Sequence, residues 1–186
     1  MTLELNEVLI DGMERTLSMM AESGELTCLT GGTPSQRTLW LLAMQGFEPV
    51  RHGFISIDGE PLTPRSSHMF RSLMAYAPAR LCALGEVTKY EPPSVQDVFS
   101  LHANRDLPIS NGILGEEMRR IGTNSGDSRL QLIAVASLLN KPIMMVDNPP
   151  AVAGDYLKDW ASKGRIVVAT SDDEDFLKSA DVVVEL

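Results

Sequence analysis

The chain opens on an alternation of apolar and polar side chains. In LELNEVLI (Leu3–Ile10) they take turns, the period-two pattern of a strand with one buried face. ELTCLTG (Glu25–Gly31) repeats it after the turn signal Ser23-Gly24. Both are predicted strands, the first at a sheet edge. From Gln36 the period changes: Leu39, Leu42 and Ala43 in RTLWLLAMQGF fall at helical spacing, and Gly46 supplies a C-terminal stop. The first third therefore reads strand, Gly-rich turn, helix.

Further on, GFISIDGEPLT alternates and turns at Asp58-Gly59, a strong hairpin signal, and SLMAYAPA reads as a short strand stopped by Pro78. Residues 80–122 are less regular. Pro92-Pro93 interrupts them, and SVQDVFSLHA and GILGEEMRRIG have helical spacing, which predicts a small helical lobe. RLQLIAVASLLNKP is apolar around most of a helix ended by Asn140 and Pro142, with Asn124 or Ser125 as its N-cap. IMMVD, RIVVAT and DVVVEL are short apolar runs, the pattern of parallel strands covered on both faces. SDDEDF reads as a solvated helix start, where carboxylates are favoured. Strands alternating with helices imply an α/β fold built on a mostly parallel sheet.

Composition narrows the function classes. The 186 residues, 44% hydrophobic and 22% charged, suit one well-filled domain. A net charge of −9 argues against nucleic acid as a partner, because phosphate-backbone binding needs clustered Lys and Arg. The N-terminal MTLELNEVLIDGMERT lacks the basic and apolar regions of a leader, and no apolar run approaches the ~20 residues of a membrane span. A cytoplasmic location is expected. Cys28 and Cys82 have no metal-ligand spacing and read as buried thiols. His52, His68 and His102 carry no chemistry in this reading. Trp40 and Trp160 are expected to pack helices onto the sheet.

The segment with candidate chemistry is LTGGTPSQRT (Leu29–Thr38). A phosphate-cradling loop of the form G-x-x-x-x-G-K-[ST] uses glycines to bring backbone N–H groups against the anion, a lysine for charge and a hydroxyl for Mg²⁺. Gly31 and Thr38 fit its ends, while Gln36-Arg37 stand where Gly-Lys belongs. Taken alone, the stretch reads first as a Gly-Pro turn before a helix, Arg37 as a solvated cation, and Asp147 after IMMVD as a strand-end cap.

The order of these pieces resembles the nucleotide-binding subunit of ABC transporters, from LELNEV to ADVVVEL. SGELTCLTGG is similar to the strand entering Walker A, GFISIDGEPLT to the antiparallel hairpin, SVQDVF to the start of the helical subdomain, and NSGDSRLQLIAVASLLNKPIMMVDNP to the signature motif, its helix and Walker B. The resemblance implies a P-loop NTPase-like ABC ATPase core spanning 1–186, with a reduced helical lobe at 80–122. It implies a remnant nucleotide site at Gly31, Gly32, Ser35, Gln36, Arg37, Thr38 and Asp147, with Thr38 and Asp147 the Mg²⁺ positions if nucleotide binds, and a remnant signature motif at Ser125 and Gly126.

The same comparison locates departures from the family pattern. Gln36 adds a Cβ where the main chain must approach phosphate. Arg37 is a planar fork in place of an ammonium. Ala79 stands for the Q-loop glutamine, and Asn148 for the glutamate that activates water. Ser171 stands for the switch histidine, and Asp127 for a signature glycine, where its carboxylate would face a partner's terminal phosphate. The aromatic that stacks on adenine is missing around LIDGM. No catalytic residue is therefore assigned. The resemblance implies a subunit lacking ATP hydrolysis that is a structural or regulatory partner of a transporter complex. Its partner would be a transmembrane subunit, a second ABC ATPase subunit or a second copy of itself, and it would be held at the inner membrane through that partner. The alternative is a weak Mg-ATP-binding subunit active only with a partner.

Overall fold

In chain order the strands are β1 (Thr2–Ile10), β2 (Leu17–Glu22), β3 (Leu26–Thr30), β4 (Val50–Ile57), β5 (Glu60–Pro61), β6 (Met74–Ala77), β7 (Ile143–Asp147), β8 (Ile166–Thr170) and β9 (Val182–Glu185). The helices are α1 (Pro34–Met44), α2 (Ser67–Leu73), α3 (Asn111–Arg120), α4 (Ser128–Leu138), α5 (Gly154–Ser162) and α6 (Glu174–Leu177). The computed structural model describes residues 1–79, 111–122 and 127–186. SVQDVFSLHA, His102, Cys82, Ser125 and Gly126 lie outside the described residues.

The inward residues of β1 are Leu3, Leu5, Val8 and Ile10, so the period-two pattern slips by one residue in the middle of the strand. A β-bulge absorbs the slip. The register jumps between Leu5 and Val8 against β2 and between Asn6 and Leu9 against β4, and Glu7 takes a positive φ of 46°. Opposite it, Gly53 has φ +73°, and a Cβ there would lie 2.2 Å from the Asn6 carbonyl oxygen, so only glycine fits. The antiparallel sheet has the order β2-β1-β4-β5. β1 is therefore an interior strand rather than an edge strand; the alternating LSMMAE of β2 pairs along its outer side. The Asp58-Gly59 hairpin forms as expected, with both residues at positive φ.

The second sheet is parallel, in the order β6-β7-β8-β3-β9. Alternate residues of its central strands face two separate cores. Cys28, Met144, Val146, Val167 and Ala169 pack with α4 and α5, including Trp160. Leu29, Ile143, Met145, Ile166 and Val168 pack with α1, Trp40 and the antiparallel sheet. Both tryptophans bind helices to the sheet, as expected, at 2% and 4% exposure. DVVVEL departs from expectation. Among the described residues it forms β9 at the sheet edge, paired with β3 alone, and Val183 is exposed.

The helix in RLQLIAVASLLNKP is α4, buried through Leu130, Leu132, Ile133, Ala134, Val135 and Ala136. α3 lies against it. Glu117 of α3, itself buried, accepts a hydrogen bond from the Tyr156 hydroxyl of α5, stands 3.4 Å from the Ser137 hydroxyl of α4 and pairs with Arg120 at 3.3 Å. Burial, and then the bond to Glu117, push the Tyr156 hydroxyl pKa well up. His52 and His68 are exposed, and Cys28 is fully buried.

Candidate functional site

The turn after β3 is shorter than the sequence motif suggests. Helix α1 begins at Pro34, with Thr33 as its N-cap: the Gln36 backbone N–H donates to Thr33 Oγ1 at 3.2 Å, and the Thr33 N–H donates back to Gln36 Oε1 at 2.8 Å. This is a capping box with proline in the first helical position, and TPSQ carries its signature in the sequence. Only Gly31, Gly32 and Thr33 remain outside regular structure, both glycines at positive φ. A loop that wraps phosphate needs the residues between Gly31 and Gln36 free of the helix, with their N–H groups converging. Here Pro34 has no N–H to give, Ser35 and Gln36 are already helical, and the Gln36 side chain closes the helix end.

Arg37 departs most from expectation. It is 3% exposed, not solvated. Its Nη1 donates to the carbonyl oxygens of Gly31 at 2.8 Å and Gly32 at 3.3 Å, and its Nη2 pairs with Asp172 Oδ2 at 2.6 Å. The other Asp172 oxygen accepts from the Gly31 N–H at 3.3 Å and the Thr30 hydroxyl at 3.4 Å. Asp172 follows β8, the neighbour of β3, and Asp173 beside it caps α6. By its sequence this acidic run is a helix start. Asp173 has that role and Asp172 does not; no local signal distinguishes the two.

Thr38 and Asp147 do come together. Thr38 Oγ1 donates to Asp147 Oδ2 at 2.8 Å and lies 3.1 Å from the Pro34 carbonyl. Asp147 is 6% exposed, and its second oxygen accepts from the fully buried Thr170 hydroxyl at 2.9 Å. Thr170 Oγ1 in turn accepts the Asn148 N–H at 3.0 Å, holding Asn148 at φ 49°, a left-handed conformation that asparagine tolerates. The pair opens onto a cleft of about 620 Å³ lined also by Ser35, Leu39, Tyr76 and Ala79. Ala79 offers that cleft a methyl group and no ligand oxygen.

Ser171 is fully buried and accepts the Asp173 N–H at 3.1 Å, so its hydroxyl serves a turn. Asp127 is the N-cap of α4, in place of the Asn124 or Ser125 expected from the sequence. It accepts from the Arg129 N–H at 2.9 Å and pairs with the Arg129 guanidinium at 2.9 Å. Its carboxylate, expected to project toward a partner, is folded back onto its own helix, and Arg129 holds its pKa below the usual carboxylate range.

A second cleft, of about 560 Å³, lies between the β1–β2 connection and the turn; the lining residues from Gly12 to Leu17 include no aromatic. Taken together, the turn as folded does not fit a triphosphate chain, since its cation and its cap donors already have protein partners. The Thr38–Asp147 pair does fit one edge of a Mg²⁺ site, where an octahedral ion takes one or two protein oxygens and completes its shell with phosphate and water. Among the described residues no group of three His, Cys, Asp or Glu side chains could hold a metal ion.

No protein-family model and no curated protein sequence matches the chain. Solved structures do. An ATP-binding subunit of an ABC transporter superposes with a TM-score of 0.74 at 19% identity, over 100% of this chain and 86% of that one. A Pyrococcus furiosus protein described as an ABC transporter ATP-binding protein gives 0.74 at 15% identity, over 100% and 98%. CbiO1 from Clostridium perfringens, part of the ABC transporter complex cbiONQ, gives 0.69 at 13% identity, over 98% and 83%. The chain has the fold of ABC transporter ATP-binding subunits, with its parallel and antiparallel sheets arranged as the sequence resemblance implied.

Proposed function

We propose that this chain is an ABC-type nucleotide-binding subunit that retains the α/β scaffold without ATP hydrolysis. In this reading residues 1–186 form one such domain, with 80–122 as its reduced lobe, acting as a structural or regulatory partner of a transmembrane transporter subunit or a competent ATPase subunit. The observation that carries the reading is Arg37: buried, bonded to two carbonyls and paired with Asp172, it has no charge left to direct at a phosphate. Asn148 supports it, because an amide cannot take a proton from an attacking water, and loss of a general base costs about 10²- to 10⁴-fold in rate. Among the described residues no helix is long and apolar enough to cross a membrane; in this reading the chain sits on the cytoplasmic side and meets the membrane through its partner.

A second reading, a weak Mg-ATP-binding subunit that acts only beside a partner, is favoured by one observation, the 2.8 Å Thr38–Asp147 contact. Titration calorimetry with Mg-ATP, on the chain alone and on the complex recovered with its partner, separates the two. The first reading expects no saturable heat and no phosphate release in either sample. Saturable micromolar binding that disappears in Thr38→Ala would overturn it in favour of the second.

A further inference from the structure

We infer that Asp172 is a built-in anion that fills the turn between β3 and α1, and that neutralising it opens the turn to small oxyanions such as inorganic phosphate. The inference rests on the reading above, in which the unaltered turn holds no nucleotide.

Three donors converge on the Asp172 carboxylate: Arg37 Nη2 at 2.6 Å, the Gly31 N–H at 3.3 Å and the Thr30 hydroxyl at 3.4 Å. A guanidinium fork, a backbone N–H and a hydroxyl are the groups that recognise phosphate oxygens, and a carboxylate satisfies them by the same charge-assisted geometry. The donors do not depend on Asp172 for their placement. Thr30 is fixed by the β3–β9 ladder and by the Leu186 N–H on its carbonyl, Gly31 by its place next to Thr30 and its carbonyl bond to Arg37, and Arg37 by its helix and its two carbonyl bonds.

The acceptor is the movable partner. Asp172 is 54% exposed, whereas Arg37 is 3% exposed. A buried guanidinium left without a counter-charge is costly, so with the carboxylate gone the vacancy beside it attracts an anion from solution through the side that Asp172 leaves open. With the carboxylate present, a tethered group at an effective concentration in the millimolar range or above keeps dilute phosphate out. Asp172 is thus positioned to act as an autoinhibitory contact. The same bond that removes Arg37 from service preserves it, charged and oriented, for an anion.

The test uses the full chain, its Asp172→Ala and Asp172→Asn variants, and the double variant Arg37→Gln with Asp172→Ala. Calorimetric titration with inorganic phosphate is paired with thermal unfolding at fixed phosphate. Both single variants are expected to bind phosphate about tenfold or more tightly than the parent chain, more weakly as salt is raised, and to gain thermal stability from phosphate where the parent gains none. The double variant is expected to lose that gain. Variants that unfold cooperatively, with the parent's far-ultraviolet spectrum, yet bind phosphate no better would overturn the inference, as would a gain that survives in the double variant. Asp172→Asn, nearly isosteric, covers the case in which Asp172→Ala does not fold. Saturable Mg-ATP binding by the parent chain would instead count against the proposed function, so the two failures are distinguishable.

Discussion

Asp147 is held by two hydroxyls in unequal surroundings, and the inequality can be measured. Thr170→Val keeps the shape of a fully buried side chain but removes its hydrogen bond to Asp147 Oδ1 at 2.9 Å and its acceptor for the Asn148 N–H at 3.0 Å. A bond to a charged group is worth about 1.5–3 kcal/mol, and the N–H left without its acceptor adds roughly 1 kcal/mol, since the Thr170 side chain is fully buried. The expected loss is about 3 kcal/mol. Thr38→Val removes the matching bond to Oδ2 at 2.8 Å, but Thr38 is half-buried on the cleft, where water can take the hydroxyl's place. Its expected cost is roughly 1 kcal/mol. For a chain of this size 1 kcal/mol moves Tm by about 2–4 °C. Thr170→Val should therefore lower Tm by roughly 6–12 °C and Thr38→Val by less than about 5 °C. Urea unfolding followed by the fluorescence of Trp40 and Trp160, with calorimetric Tm alongside, reads both. A Thr170→Val protein within about 1 kcal/mol of the parent, or a Thr38→Val protein that loses more than Thr170→Val, would refute the burial argument.

Gly53→Ala should cost about 3 kcal/mol or more, because its Cβ would meet two backbone oxygens, of Asn6 at 2.2 Å and Glu7 at 2.4 Å; Gly59→Ala, at φ +82° with open space, should cost only about 1 kcal/mol in the same urea titration. Burial pushes the Cys28 thiol up to about 12, so in a Cys82→Ser background an alkylating reagent at pH 8 should leave the native chain unmodified and react only after unfolding; rapid labelling of the native chain would contradict that. Burial works to raise the pKa of Asp181, but the Leu26 N–H at 3.0 Å and Lys158 at 2.6 Å prevail and hold it below the ordinary value. The folded form thus keeps this carboxylate ionised to lower pH than the unfolded chain does. Its stabilisation is fully present above about pH 4 and is lost as pH falls further toward the folded-state value. Asp181→Asn should flatten that acid limb of the stability–pH profile and leave its slope at neutral pH unchanged.

Most of the secondary structure was legible in the sequence because its signals are local. Period-two runs, the helical spacing in RTLWLLAMQGF and the Asp58-Gly59 turn each concern a few neighbouring residues, and the strands, helix and hairpin formed there. TPSQ was also legible as a capping box. Helical spacing of the apolar residues puts the helix start at Gln36, whereas the capping box sets it two residues earlier, at Pro34.

Position within a sheet is not a local property. Nothing in LELNEVLI distinguishes an interior from an edge strand until β2 and β4 pair with it, and DVVVEL looks as apolar as IMMVD although β9 has one neighbour and β7 has two. The charges of the site follow the same division. Residue types alone showed that Arg37 is cationic and that Asp172 and Asp173 are acidic. Only the adjacency of β3 and β8 brings Asp172 within 2.6 Å of Arg37 and leaves Asp173 to cap a helix. An ion pair depends on distance through space, and the parallel sheet sets that distance by its strand order.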